Sequence, residues 1–200
     1  MQNKTAWRPT LPEKEFDAFI FDCDGTLADT MPIHYRAWCH ALGEHAALFP
    51  EPMFNDLGGV PTCRVVEILN EKHNLQLPVD ALVAQKEAVF QTLSATVVPI
   101  DPVVDIARRF HKTKPMAVAS GGHRHIVMRT LMSIGIVELF DTIVCSEDYS
   151  RGKPAPDPFL EAARRLGVEP SRCLVFEDSV TGLAAAQAAG MDCILVPLER

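Results

Sequence analysis

Residues 16–26 read FDAFIFDCDGT. The apolar run 16–21 halts at two aspartates, Asp22 and Asp24, that flank a single residue, and Gly25 then releases the chain. A short, continuous apolar run bounded by turn formers marks a strand buried on both faces, as strands of parallel sheets are. Four later runs have the same form: 116–120 (MAVAS), 142–145 (TIVC), 173–176 (CLVF) and 193–196 (CILV). Helical periodicity fills 104–111, 123–134, 156–166 and 179–189, and Gly135, Gly167 and Gly190 stand where left-handed C-caps belong. Strands that alternate with helices predict an α/β protein built on a parallel sheet.

Only the first connection breaks this rhythm. About ninety residues lie between Phe21 and Met116, far more than the dozen or so that a crossover with its helix requires. Inside it, Met31, Tyr35, Trp38 and Leu42 share one helical face, as do Val65, Ile68 and Leu69, and then Leu82, Val83, Phe90 and Leu93. The reading is a helical cap, 31–98, inserted into a core formed by 1–30 and 99–200. Ligands of open α/β sheets bind beyond the carboxyl ends of the strands, so a cap mounted there sits as a lid on the site, with hinges at 29–32 and 97–101.

Composition narrows the chemistry. The 200 residues carry 19 Lys and Arg against 26 Asp and Glu, a net charge of 19 − 26 = −7, which offers no positive field for nucleic acid. No uncharged apolar run approaches the ~20 residues of a membrane span, and the opening MQNKTAWRPTLPEKE has no signal-peptide core, so the expected address is the cytoplasm. Six scattered cysteines without a C-x-x-C pair suit free thiols in a reducing compartment. A self-contained core and cap are consistent with a monomer.

Each strand end carries polar residues with more than one reading. Asp22-Cys23-Asp24-Gly25-Thr26 suits a nucleophile paired with an acid/base, or is an acidic turn. An EF-hand is a poor rival, since Gly25 would be loop position four rather than six. Ser120-Gly121-Gly122-His123 places a hydroxyl and bare backbone at a helix start, fit for an anion or for a tight turn. Lys153, in the proline-bracketed loop 150–156, is a lysine held near a helix start for function or an ordinary surface lysine, and Glu177-Asp178-Ser179 is a carboxylate pair or a helix cap. Together they converge, because all four lie at carboxyl ends of parallel strands and face one crevice. Two like charges 4 Å apart cost about 4 kcal/mol at an effective dielectric of ~20, and a lone lysine cannot balance Asp22, Asp24, Glu177 and Asp178. A hard divalent cation such as Mg²⁺ is implied.

In order, DCDGT, ASGG, GKPAPD and FEDS resemble the four motifs of the haloacid dehalogenase superfamily of aspartyl-phosphate phosphotransferases. The resemblance covers essentially the whole chain and implies a Rossmann-like parallel sheet with an inserted helical cap. It implies Asp22 as nucleophile and Asp24 as general acid/base, with Mg²⁺ held by Asp22, the Asp24 carbonyl, Asp178 and, in or just outside that shell, Glu177. Ser120, Gly121 and Lys153 would grip the phosphoryl oxygens. The MPIHYRAWCHAL stretch is similar to the first cap helix of the β-phosphoglucomutase-like subgroup, where the histidine, here His34, couples cap closure to the acid/base. GGVPTCR, RRFHKTKPMAV and the 152–178 region look most like bacterial fructose-1-phosphatases. Where the mutases carry a cap arginine three positions after a loop glycine, counting from Gly59 gives Thr62; the nearest arginine is Arg64, expected to help read the sugar. Mutases also tend to have valine where this chain has Thr26. The resemblance therefore implies a Mg²⁺-dependent phosphatase of small phosphorylated sugars, with a hexose-phosphate mutase as the alternative.

Overall fold

A computed structural model describes residues 7–94 and 97–197; the first six residues, positions 95 and 96 near the expected cap boundary, and 198–200 lie outside the described residues. Five strands, β1 (Ala18–Phe21), β2 (Met116–Ala119), β3 (Thr142–Val144), β4 (Cys173–Glu177) and β5 (Asp192–Leu195), form one sheet in the order β3-β2-β1-β4-β5. Every neighbouring pair is parallel. The chain winds outward in both directions from β1, so the crevice beyond the ends of β1 and β4 is the topological switch point of the sheet.

Alternation along the strands feeds two cores. Phe19, Phe21, Val118, Leu174 and Phe176 face helices α5 (Asp101–Phe110) and α6 (Arg124–Ser133), while Ile20, Ala117, Ala119 and Val175 face α7 (Asp157–Leu166) and α8 (Val180–Ala188). Across the β1–β4 pair the Phe21 and Phe176 rings stack with centroids 4.7 Å apart, a contact that contributes about 1 kcal/mol beyond area burial. The helix expected over 104–111 begins three residues earlier, at Asp101. Pro102 fits that first turn because its missing N–H has no partner to lose there.

Four helices fill the insertion: α1 (Met31–Leu42), α2 (Glu51–Asp56), α3 (Thr62–His73) and α4 (Val79–Leu93). Their own apolar cluster, with Trp38, Phe49, Phe54, Val65, Leu69 and Leu82 at its heart, makes the cap a packed unit rather than a loop. The sequence pattern does not reveal α2, since six residues give too little periodicity to detect. The two connections to the cap lie side by side and antiparallel, joined by Asp29 N–H to the Val98 carbonyl at 3.0 Å and Ile100 N–H to the Leu27 carbonyl at 2.9 Å. Among the described residues no helix is long and apolar enough to cross a membrane.

Candidate active site

The floor of the cleft is set by strand ends. Asp22 follows β1 directly, its N–H donating to the Phe176 carbonyl of β4 at 2.9 Å, so the nucleophile candidate is pinned to the neighbouring strand. Lys153 is buried beneath it, its Nζ 2.6 Å from Asp22 Oδ1 and 2.6 Å from Glu177 Oε2, with the Phe159 ring 4.9 Å below. Glu177 is fully engaged: its other oxygen accepts from the Asp178 and Ser179 N–H groups and from the Ser179 hydroxyl. Asp178 accepts from Thr26 at 3.1 Å and lies against Gly25, where a Cβ would come within 2.1 Å of Asp178 Oδ2. Gly25 also has φ +87°, so both its backbone and its missing side chain are required there. Ser120 is buried at the end of β2, its carbonyl fixed by the Tyr149 hydroxyl at 3.0 Å.

The roof is made of cap side chains that reach down. His34 on α1 places Nε2 3.0 Å from Asp24 Oδ1, and Thr30, which starts the same helix, donates to that oxygen at 2.6 Å. Behind His34, Lys86 of α4 brings Nζ to 3.0 Å from Nδ1. An ammonium has only donors, so Nδ1 must be the acceptor, and Nε2 carries the hydrogen that points at Asp24. The imidazole is clamped flat on Phe90, with centroids 4.0 Å apart. Between floor and roof lies a solvent-open cleft, about 710 Å³ with the solvent at its mouth included. Asp22, Asp24, Ser120 and Gly121 line its lower end; Trp38, Phe49, Phe54, Thr62, Lys86 and Glu87 line the upper. Cap and core touch closely. A Cβ on Gly121 would lie 2.5 Å from the Gly59 carbonyl oxygen, and the Thr181 hydroxyl donates to the Gly58 carbonyl.

Charge is unevenly shared across this cleft. Asp22, Glu177 and Asp178 offer carboxylate oxygens that all lie within 4.8 Å of one another, with Lys153 as the cation among them. Burial first, then the Glu177 charge, pushes Asp22 and Asp178 upward, while Asp22 and Glu177 hold Lys153 up against the opposing effect of its own burial. An all-oxygen, over-negative cluster of this kind suits a hard divalent cation, so the residues present fit Mg²⁺. Asp24 behaves differently. Burial works to raise it, yet the contacts from His34 and Thr30 bring it down to about 2. Lys86 is lowered to about 8 by burial, and burial together with the Lys86 charge lowers His34.

The structure thus brings together Asp22, Asp24, Ser120, Gly121, Lys153, Glu177, Asp178 and His34. One expectation needs correction. Arg64 does not reach the cavity: its guanidinium meets Glu67 and Glu71, each at 2.9 Å, on an exposed face of α3. The helix begins at Thr62 and turns 100° per residue, so Arg64 points about 200° away from Thr62, while Thr62 and Val65 face inward. Glu177 shares the acid cluster with Asp22 and Asp178 while its oxygens also meet Lys153 and the start of α8. Sequence reading missed Lys86, Glu87, Tyr149 and the contribution of His123. Lys86 had a signal, since it lies in the stripe Leu82, Val83, Lys86, Phe90 at helical spacing and is as buried as its neighbours.

Comparison with known proteins agrees with this geometry. The haloacid dehalogenase-like hydrolase family matches residues 16–190. The fructose-1-phosphate phosphatase YqaB of Escherichia coli (strain K12) is 39% identical over 186 residues, covering 92% of this chain and 98% of that one. The beta-phosphoglucomutase of Bacillus subtilis (strain 168) is 29% identical over 181 residues, covering 87% and 80%. Among solved structures, CbbY from Rhodobacter sphaeroides in complex with phosphate superposes with a TM-score of 0.76 at 28% identity, covering 91% of this chain and 86% of that one. With that family matched over most of its length and phosphatases among its relatives, this chain belongs to the haloacid dehalogenase-like hydrolase family as a phosphatase.

Proposed function

We propose that the protein is a Mg²⁺-dependent phosphatase of small sugar phosphates of the fructose 1-phosphate type, working through a phosphoryl group carried on Asp22. The observation that supports this most is the pairing of two differently tuned aspartates beneath one lid: Asp22 beside Lys153, and Asp24 beside His34. Mg²⁺, held by Asp22, the Asp24 carbonyl and Asp178 with Glu177 behind them, supplies neutralisation of the acid cluster and of the phosphoryl oxygens when bound. Lys153, Ser120 and the Gly121 backbone orient the phosphoryl group so that an Asp22 oxygen stands in line with the ester bond. That oxygen bonds to phosphorus while the ester oxygen leaves with the proton of Asp24. The incoming phosphate adds negative charge near Asp24 and so favours the protonated form this step needs. Once the alcohol has left, Asp24 is ionised, as its contacts with His34 and Thr30 favour, and takes a proton from the water that attacks the phosphoaspartate. Inorganic phosphate is released and both aspartates are restored.

Sugar-end chemistry favours hydrolysis over isomerisation. A mutase must grip a second phosphate at the cap end, yet the described basic residues lining the cavity are His34, Lys86 and His123, each already tied to another side chain. Arg64 is turned away. Incubation with fructose 1-phosphate and Mg²⁺ is expected to yield fructose and inorganic phosphate in equal amounts. Conversion of β-glucose 1-phosphate into glucose 6-phosphate with little free phosphate would establish the mutase reading instead. In the cell we place the enzyme in the cytoplasm, acting as a monomer.

A further inference from the structure

Near the Asp24–His34 contact, the cap meets the core at a second charged point that the reaction above does not use. Glu87 is the residue after Lys86 on α4, and its side chain is only 12% exposed. Its Oε1 lies 2.5 Å from Nδ1 of His123, the residue that opens α6 on the core, and its Oε2 lies 3.5 Å from Nε2 of His125. The two imidazoles run nearly parallel, 16° apart in plane with centroids 6.0 Å apart, and present their nitrogens to one carboxylate. Each partner belongs to a different side of the cleft, and both Glu87 and His123 line the cavity mouth. At Gly121, two residues before His123, cap and core meet by steric fit under the Gly59 carbonyl. At Glu87 closure rests on charge.

We propose that Glu87, His123 and His125 form a clasp that seats the cap on the core, with Glu87 as a positioning residue. The proposal rests on the proposed function only in taking this cleft as the active site. Two core side chains converge on one cap carboxylate, His123 at 2.5 Å and His125 at 3.5 Å, so the contact is lost when the cap lifts and regained when it seats. The charged groups that face Glu87 from the cap are Lys86 and His34, both coupled to it electrostatically, with Asp24 beyond them. From the core, Arg124 lies between the histidines in sequence but is taken up by Asp148 and the Ile143 carbonyl, and Arg129 stands one turn beyond His125 on α6.

Trp38 gives a readout independent of catalysis. It lines the cavity and is 3% exposed, and the other tryptophan, Trp7, packs on the core. In a Trp7→Phe background, quenching of Trp38 by acrylamide measures how often the cap opens. The clasp predicts that Glu87→Gln, which keeps the shape but loses the charge, raises the quenching constant about twofold. Should Glu87→Gln fail to fold, the His123→Gln/His125→Gln double variant at the exposed rim is expected to show the same rise. In turnover assays, Glu87→Gln is expected to raise KM for fructose 1-phosphate about two- to fivefold with kcat little changed. A quenching constant equal in wild type and in both variants overturns the clasp, and so does a loss confined to kcat. Absence of turnover with any sugar phosphate, together with the predicted rise in quenching, would overturn the proposed function and leave the clasp standing.

Discussion

Floor and roof of the cleft reach the same cavity by different physical routes. Asp22, Ser120, Glu177 and Asp178 follow strands β1, β2 and β4 within a residue, so their backbone is fixed by the parallel ladder before any side chain makes a contact. His34, Thr62, Lys86 and Glu87 stand on three cap helices held by a separate apolar cluster, and they reach the core across a gap. The floor satisfies its polar groups internally, through Lys153, Tyr149 and Ser179. The roof does so only when seated, because His34 needs Asp24 and Glu87 needs His123. Chemistry is therefore preset in the core, while access and timing belong to the cap.

The sharpest break in this comparison is Asp22→Asn. Losing the floor's nucleophile is expected to lower kcat by about 10³-fold or more, while the thermal midpoint rises because one of three crowded carboxylates has become neutral. Steady-state rates and a melting curve on one preparation check both. Next comes Lys86→Met at the roof. Without the donor that fixes the His34 tautomer, kcat/KM should fall by about 10²-fold, although the phosphoryl-binding floor is untouched. Stability moves the other way, with a definite pH signature. The folded pKa of Lys86, about 8, lies below its ordinary 10.5, so between these values the unfolded chain binds a proton that the folded chain has released. Wild-type stability should gain from Lys86 as pH rises from about 8 toward 10.5, and denaturant titrations should show that gain missing in Lys86→Met.

Smaller effects sharpen the boundary between the two regions. Gly121→Ala puts a methyl group against the Gly59 carbonyl and should keep the cap from seating, raising KM about tenfold while leaving the melting curve nearly unchanged. Arg64→Ala should change sugar-phosphate turnover by less than about twofold, because the arginine serves only exposed ion pairs with Glu67 and Glu71. A tenfold loss of sugar selectivity in that variant would mean that Arg64 leaves these partners to meet substrate.

The same division explains what could be read from the chain beforehand. Each floor residue lies within a few positions of a strand whose apolar run is conspicuous, so local sequence carries both the element and the acid that ends it. Cap residues depend on helix phase and on which faces meet. Counting from Gly59 says nothing about where α3 begins, and a start at Thr62 turns Arg64 outward. A lysine within an apolar stripe reads as a stem that snorkels to solvent, and the partner of Lys86, His34, lies 52 residues away. No local pattern links Glu87 to His123, which the fold alone brings together from opposite sides of the cleft.

The central claim is that phosphate passes through Asp22 and is then lost to water. Rapid acid quenching of the wild-type enzyme mixed with fructose 1-phosphate and Mg²⁺, followed by mass spectrometry of the peptide that spans Asp22 and Asp24, tests it directly. The account predicts a transient gain of one phosphoryl group on Asp22 within the first turnover, absent from Asp22→Asn, with free phosphate as the final product. Release of phosphate at full rate with Asp22 never modified, or a phosphoryl group that returns to the sugar, would contradict it.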